Sequence, residues 1–167
     1  MGFFSKDIQT FDDLFVHTLR DIYYAEKQIL KNVPAMISKA TDPALKRGLE
    51  MHRTETETHI KRLEQVFEMH GVAAKQVHCP AIDGILEEAG ELASEIADKQ
   101  VLDAGIIAAA QAVEHYEITR YGSLVAWAKV LGRNDCAAVL QQTLDEEKAA
   151  DKNLTSLAES GVNRKAA

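Results

Sequence analysis

Three prolines, nine glycines and an aromatic content of 6% leave this chain of 167 residues short of the residues that build turns and β-sandwiches. With 46% hydrophobic and 27% charged residues, it is expected to be globular and helical rather than disordered or β-rich. Cys79 and Cys136 lack the spacing of a metal-binding pair and read most simply as reduced thiols, so no disulfide between them is expected. No apolar run reaches the roughly 18 residues that would span a bilayer. Met1 to Lys6 has no apolar stretch long enough for a signal peptide, and Lys6 stands where a myristoylation motif after Gly2 wants Ser or Thr. Basic residues are also in deficit, 19 Lys and Arg against 26 Asp and Glu, for a net charge of -7. Such a surface repels phosphate backbones and anionic lipid, so no nucleic acid and no membrane partner is expected. A cytoplasmic location and one domain over residues 1–167 are the simplest reading.

Breakers and caps divide the chain into four long helices and one short one. Thr10 or the Asp12-Asp13 pair starts the first, over about residues 10–39, with Pro34 expected to kink or end it locally. Thr41-Asp42-Pro43 caps a second, over about 43–70, which stops at Gly71. A short amphipathic helix is expected near 82–98, a long one over 101–131 before Gly132, and a last one over 134–160, capped by Asn134 or Asp135 and ending near Gly161. The first two long helices and the last two are joined by only a few residues, so each pair should form an antiparallel hairpin. A helix of about 28 residues is roughly 42 Å long at 1.5 Å per residue, so residues 71–100 are needed to carry the chain back to its starting end. The expected fold is all-α: a ferritin-like four-helix bundle with a long crossover carrying a short fifth helix.

Against this background, acids stand where helix faces should be apolar. Glu26 interrupts the stripe Phe15, Leu19, Ile22, Ile29, Val33, and Glu147 and Asp151 interrupt Leu140, Leu144, Leu154, Ala158. Glu55, with His52 and His59, falls among Leu45, Leu49, Leu63 and Val66. A buried carboxylate without a partner costs several kcal/mol, so acids converging from several helices ask for a compensating cation. The halves repeat: Glu26 and Glu55 are separated by almost as many positions as Glu117 and Glu147, and each later glutamate has a ligand type four residues on, His59 or Asp151. In the familiar di-metal bundles that second ligand follows by three residues, and here Thr58 occupies the position after Glu55. His52 is the alternative ligand on the same helix.

Two faces of the third long helix are apolar enough to be inside. Glu114 lies with Ile107, Gln111, Ile118, Tyr121 and Val125, and Glu117 with Ile106, Ala110, Val113, Leu124 and Trp127. Repeat spacing names Glu117 first and keeps Glu114. The plain alternatives are a seam glutamate satisfied by arginine or tyrosine for Glu26, a hydrogen bond between helix turns for Glu55 and His59, and a solvated charge run with Lys148 and Lys152 for Glu147 and Asp151. His17, His70, His78 and His115 read as ordinary. Tyr23, Tyr24, Tyr116 and Tyr121 read as hydrogen-bond donors or packing residues. Apolar residues on more than one face, Ile106, Ile107, Leu124, Val125 and Trp127, predict a homodimer.

The segments Asp21-Ile22-Tyr23-Tyr24-Ala25-Glu26-Lys27-Gln28, Glu55 to His59 with Arg62 to Phe67, Ala108 to Gly122, and Thr143 to Lys148 resemble the YciF-like family of bacterial ferritin-like stress proteins. Cys79-Pro80 followed by Asp83-Gly84 resembles that family's crossover, and the likeness runs from Phe11 to about Ala158. The resemblance implies a ferritin-like bundle in the bacterial cytoplasm, a homodimer and a stress role, without an assigned activity. The expected centre holds two Fe or Mn ions between Glu26, Glu55, His59, Glu117 or Glu114, Glu147 and Asp151, with Glu55 and Glu147 bridging, and reacts with peroxide or oxygen. The alternative is a non-enzymatic dimeric stress protein whose buried acids form hydrogen-bond networks without a metal.

Overall fold

The computed structural model describes residues 8–167. The N-terminal residues read for targeting and lipidation lie outside that range. α1 spans Phe11–Lys39, α2 Pro43–His70, α3 Pro80–Glu95, α4 Lys99–Val130 and α5 Asn134–Leu157, followed by a π-helical turn Ala158–Val162 and a short α6 at Asn163–Ala166.

Local chemistry sets the ends. The Thr10 hydroxyl accepts from the Asp13 N–H while the Asp13 carboxylate accepts from the Thr10 N–H, a reciprocal box that satisfies two donors with no helical partner. Asp42 accepts from the N–H groups of Ala44 and Leu45 ahead of Pro43, and Asp98 does the same for Gln100 and Val101. Gly71 and Gly132 end their helices at φ 74° and 73°, in the left-handed region that only glycine enters freely. Pro34 sits on the exposed side of α1, and the helix runs through it to Lys39. α5 begins at Asn134 with no side-chain cap, because Asp135 is taken up by Arg133, and helical backbone continues beyond Gly161.

Contacts at the two ends give the topology. At one end the Phe11 ring meets Trp127 edge-on, Asp12 pairs with His70 at 2.8 Å, and Arg133 donates to the Met69 carbonyl. At the other, the buried Asp103 carboxylate accepts from the N–H groups of Thr41 and Asp42 and from the Thr41 hydroxyl, while Lys165 reaches Asp42. So α1 and α5 run one way and α2 and α4 the other. α1 and α5 each pack against both α2 and α4, giving a four-helix bundle with one long crossover.

α3 carries that crossover along α1 and α4. Its approach is held by the Val77 N–H on the Arg20 carbonyl and by the Tyr24 hydroxyl donating to Asp83. A Cβ on Gly105 would meet Ile96 Cδ1 at 2.7 Å, so glycine lets the end of the crossover lie close on α4. Of the apolar residues on the two faces of α4, Ile106, Ile107, Leu124 and Val125 are buried within the single chain, while Trp127 stays partly exposed. No helix among the described residues is long and apolar enough to cross a membrane.

Candidate metal centre

The middle of the bundle is polar although its surroundings are not. On α1 Glu26 sits between Ile22 and Ile29, on α2 His52, Thr56 and His59 sit between Leu49 and Leu63, on α4 Glu114 and Glu117 flank the buried Tyr116, and on α5 Glu147 sits between Leu144 and Leu154. The side chains of Glu26, His59, Glu117 and Glu147 are inaccessible to solvent, and His52 and Glu114 nearly so.

Donor atoms of these residues fall into two groups, in each of which all lie within 4.8 Å of one another: Glu26, His59, Glu117 and Glu147 in the first, His52, Glu114 and Glu147 in the second. Glu147 is common to both. His59 Nδ1 stands 2.9 Å from Glu147 Oε1 and 3.4 Å from Glu26 Oε1, and His52 Nδ1 stands 3.2 Å from Glu114 Oε1. These atoms are close without being aligned as hydrogen bonds. Glu26 Oε2, Glu114 Oε2, both oxygens of Glu117 and of Glu147, and both Nδ1 atoms have no hydrogen-bond partner. Unpaired buried acceptors are costly and rare. Atoms crowded side by side and aimed inward have the arrangement of ligands around a shared cation, since two ligands at right angles about 2.1 Å from an ion sit about 3 Å apart.

Outer contacts fix the inner ones. His59 Nε2 lies 2.8 Å from Glu146 Oε2, and Arg62 holds both oxygens of Glu146, at 2.6 and 2.9 Å. With its Nε2–H donated to a carboxylate, His59 turns Nδ1 toward the cluster, the orientation a metal-ligating imidazole needs once a cation displaces the Nδ1 proton. The Tyr121 hydroxyl donates to Glu26 Oε1 and leaves Oε2 free. The tyrosine foreseen as the partner of Glu26 is therefore present, and satisfies half of it.

The electrostatics express the crowding. Burial, then repulsion from Glu147 and Glu26, pushes Glu117 well above the carboxylate range, and burial with the Glu147 charge pushes Glu114 up to about 11. Burial opposes a charge on His59, but Glu147 and Glu26 outweigh it and push the imidazole up to about 11. His52 moves down because burial dominates there. Burial also opposes the charge on Glu147, yet His59 and Glu114 beside it leave it below the usual carboxylate value. The site thus holds protons that a divalent cation would displace on binding.

Glu55 and Asp151 stand outside both groups. The inward face of α2 runs Leu49, His52, Thr56, His59, Leu63, so Thr56 takes the inward position and Glu55 is turned to the side, half-buried. Thr56 donates to the His52 carbonyl. On α5 the buried positions are Thr143, Glu147, Ala150 and Leu154, and Asp151 instead accepts from Gln111 and lies 3.1 Å from His115. Glu114 and Glu117, offered as alternatives, are both inside, one in each group. Glu146 and Arg62 had no signal of their own beyond lying in the segments that resemble the family.

The chain belongs to the DUF892 family, a domain of unknown function, whose model matches residues 10–167. It is 40% identical to protein YciF of Escherichia coli (strain K12) over 161 residues, 96% of this chain and 97% of that protein. The crystal structure of that stress protein matches with a TM-score of 0.89, covering 93% of this chain and 99% of the other. YcfI from Rhodopseudomonas palustris is 57% identical with a TM-score of 0.90, covering 92% and 98%. A protein from Xanthomonas campestris pv. campestris, 23% identical, shares the fold at a TM-score of 0.75 over 93% and 95% of the two chains. The resemblance read from the sequence is therefore a family membership.

Proposed function

We propose that this chain is a stress-response protein, homodimeric and cytoplasmic, that holds two Fe or Mn ions between its four long helices and reacts there with peroxide or oxygen. One observation carries this reading: the inward carboxylates and imidazoles lie side by side at ligand spacing, and most of their facing atoms lack any hydrogen-bond partner. Glu26, His59 and Glu117 would hold one ion, His52 and Glu114 the other, and Glu147 both. Carboxylates with two imidazoles suit Fe or Mn, which accept mixed oxygen and nitrogen ligands. When bound, such ions supply one-electron redox chemistry and Lewis acidity.

The protein's part is orientation and exclusion. Arg62 holds Glu146, Glu146 fixes the His59 tautomer, and Tyr121 pins one oxygen of Glu26 so that the other stays free. Ile22, Leu63, Val113 and Leu144 belong to the core that holds Glu26, His59, Glu117 and Glu147 and keep bulk water from them.

A second reading, a metal-free stress protein, draws support from the close pairing of His59 with Glu147 and from the Tyr121 bond to Glu26. Metal analysis of protein purified from its own cytosol separates the two. About two equivalents of Fe or Mn per chain, lost in Glu117→Gln, is expected. Sub-stoichiometric metal in the wild type, unchanged in that variant, would leave the metal-free reading.

A further inference from the structure

Beside the second donor group the bundle forms a cavity of about 260 Å³ that opens to the surface. Its walls are Ile29, Val33, Leu49, Ile106 and Leu154, contributed by all four long helices, and its polar floor is His52 and Glu114. Ala110 and Ala150 leave the room that larger residues would fill, and α3 adds Leu86 and Ala89. The half-exposed Met51, together with Gly48 and Asn153, brings the cavity to the surface on another side.

Water gains little in a cavity with apolar walls, so an apolar chain would displace it favourably. An engineered apolar cavity of about 150 Å³ takes up benzene, so this one has room for roughly ten non-hydrogen atoms. The floor states what kind of head such a molecule carries. His52 Nδ1 and Glu114 Oε2 are buried and unpartnered, their group also includes the carboxylate of Glu147, and the half-buried Glu55 carboxylate lines the cavity beside them. An anionic head would be set against the Glu147 and Glu55 carboxylates at low dielectric, whereas a hydroxyl can both donate and accept and so pairs with Glu114 and His52 without adding a charge.

We propose that the cavity is a binding site for a neutral aliphatic molecule of about eight to ten carbons with a hydroxyl or carbonyl head, its head against His52 and Glu114 and its chain along Ile29, Val33, Leu49 and Leu154. Its place as a co-substrate of the centre rests on the metal reading above. Binding itself does not.

The probe is 1-octanol, titrated calorimetrically into the wild-type protein as purified and after chelation, with metal content measured on the same samples. Saturable uptake of one molecule per chain is expected in both preparations, and more tightly in the chelated one, where His52 and Glu114 are free to meet the head. Ala110→Leu fills the space and should weaken uptake by roughly tenfold or more, and Ala150→Leu should do the same from α5 if the first variant folds poorly. In chelated protein, octanoate should bind at least about tenfold more weakly than octanol. Absence of saturable uptake by the wild type overturns the proposal, as does octanoate binding as tightly as octanol in the chelated sample. Undiminished uptake in the folded filling variants overturns it too. Octanol bound by a metal-free sample supports this site while the metal reading fails. Metal bound without octanol uptake fails this site alone.

Discussion

His59 and Glu147 approach to 2.9 Å between Nδ1 and Oε1 without hydrogen-bond alignment, while the far nitrogen of the same ring sits 2.8 Å from Glu146. Two adjacent glutamates of α5 therefore hold the two edges of one imidazole, and only the outer one is placed as a hydrogen-bond acceptor. His59→Ala is expected to lose metal with helix content unchanged. Glu146→Gln, which weakens the outer hold, should lower metal affinity by roughly 10- to 100-fold. Inductively coupled plasma analysis with circular dichroism checks both, and unchanged stoichiometry and affinity would remove His59 from the site.

The acids should separate by variant. Glu114→Gln and Glu117→Gln are expected to abolish binding of at least one ion, whereas Glu55→Gln, turned away from both groups, should leave metal content unchanged. A Glu55→Gln variant that loses metal would place that carboxylate in the centre after all.

In chelated protein the same chemistry predicts opposite signs of stability. Glu117→Gln removes a buried acid crowded by Glu147 and Glu26 and should raise the thermal midpoint. Glu147→Gln takes from the charged His59 the carboxylate closest to its Nδ1, with Glu26 and Glu146 still facing the ring, and should lower the thermal midpoint. A fall of the midpoint in both variants, measured by calorimetry, would show that Glu117 is also held by a fixed cation.

Stability should fall with pH when metal is absent. Glu114 and His59 have ordinary values of 4.5 and 6.5 and are both pushed up to about 11 in the folded chain. A group raised by folding contributes its full stabilisation below its unfolded value and loses it as pH rises through the folded one. The chelated protein is thus expected to melt progressively lower from about pH 5 to about pH 10. Loaded protein should resist that decline because the cation replaces the protons. Parallel melting curves for the two forms across this window would contradict a cation at these residues.

Asp103 is the buried acid that needs no cation. Its oxygens accept from Thr41 and Asp42 at 2.6 to 2.8 Å, tying the α1–α2 turn to the start of α4. Asp103→Ala should destabilise by about 2–4 kcal/mol, read from urea unfolding, with metal stoichiometry retained. A loss of metal from a folded variant would reveal coupling between this turn and the centre.

Helix number, order and direction were legible in the sequence because they depend on local signals: Thr10 and Asp42 as caps, Gly71 and Gly132 as stops, and a crossover long enough to return the chain. Glu26 and Glu147 were legible as well, since each stands in a run whose neighbours on the same face are unambiguously apolar. The rotation of each helix about its own axis was not. On α5, steps of three and four fit Leu140, Leu144, Glu147, Asp151 as well as Leu140, Thr143, Glu147, Ala150, and only packing against α2 and α4 turns Ala150 inward. On α2 Thr56 rather than Glu55 occupies the inward turn between His52 and His59, a shift of one residue that moves a side chain about 100° around the helix. Periodicity marks the presence of a buried face. Which carboxylates on it converge, and that Arg62 and Glu146 fix the ring of His59 from outside, follow from distances between helices that a single helix's pattern does not contain.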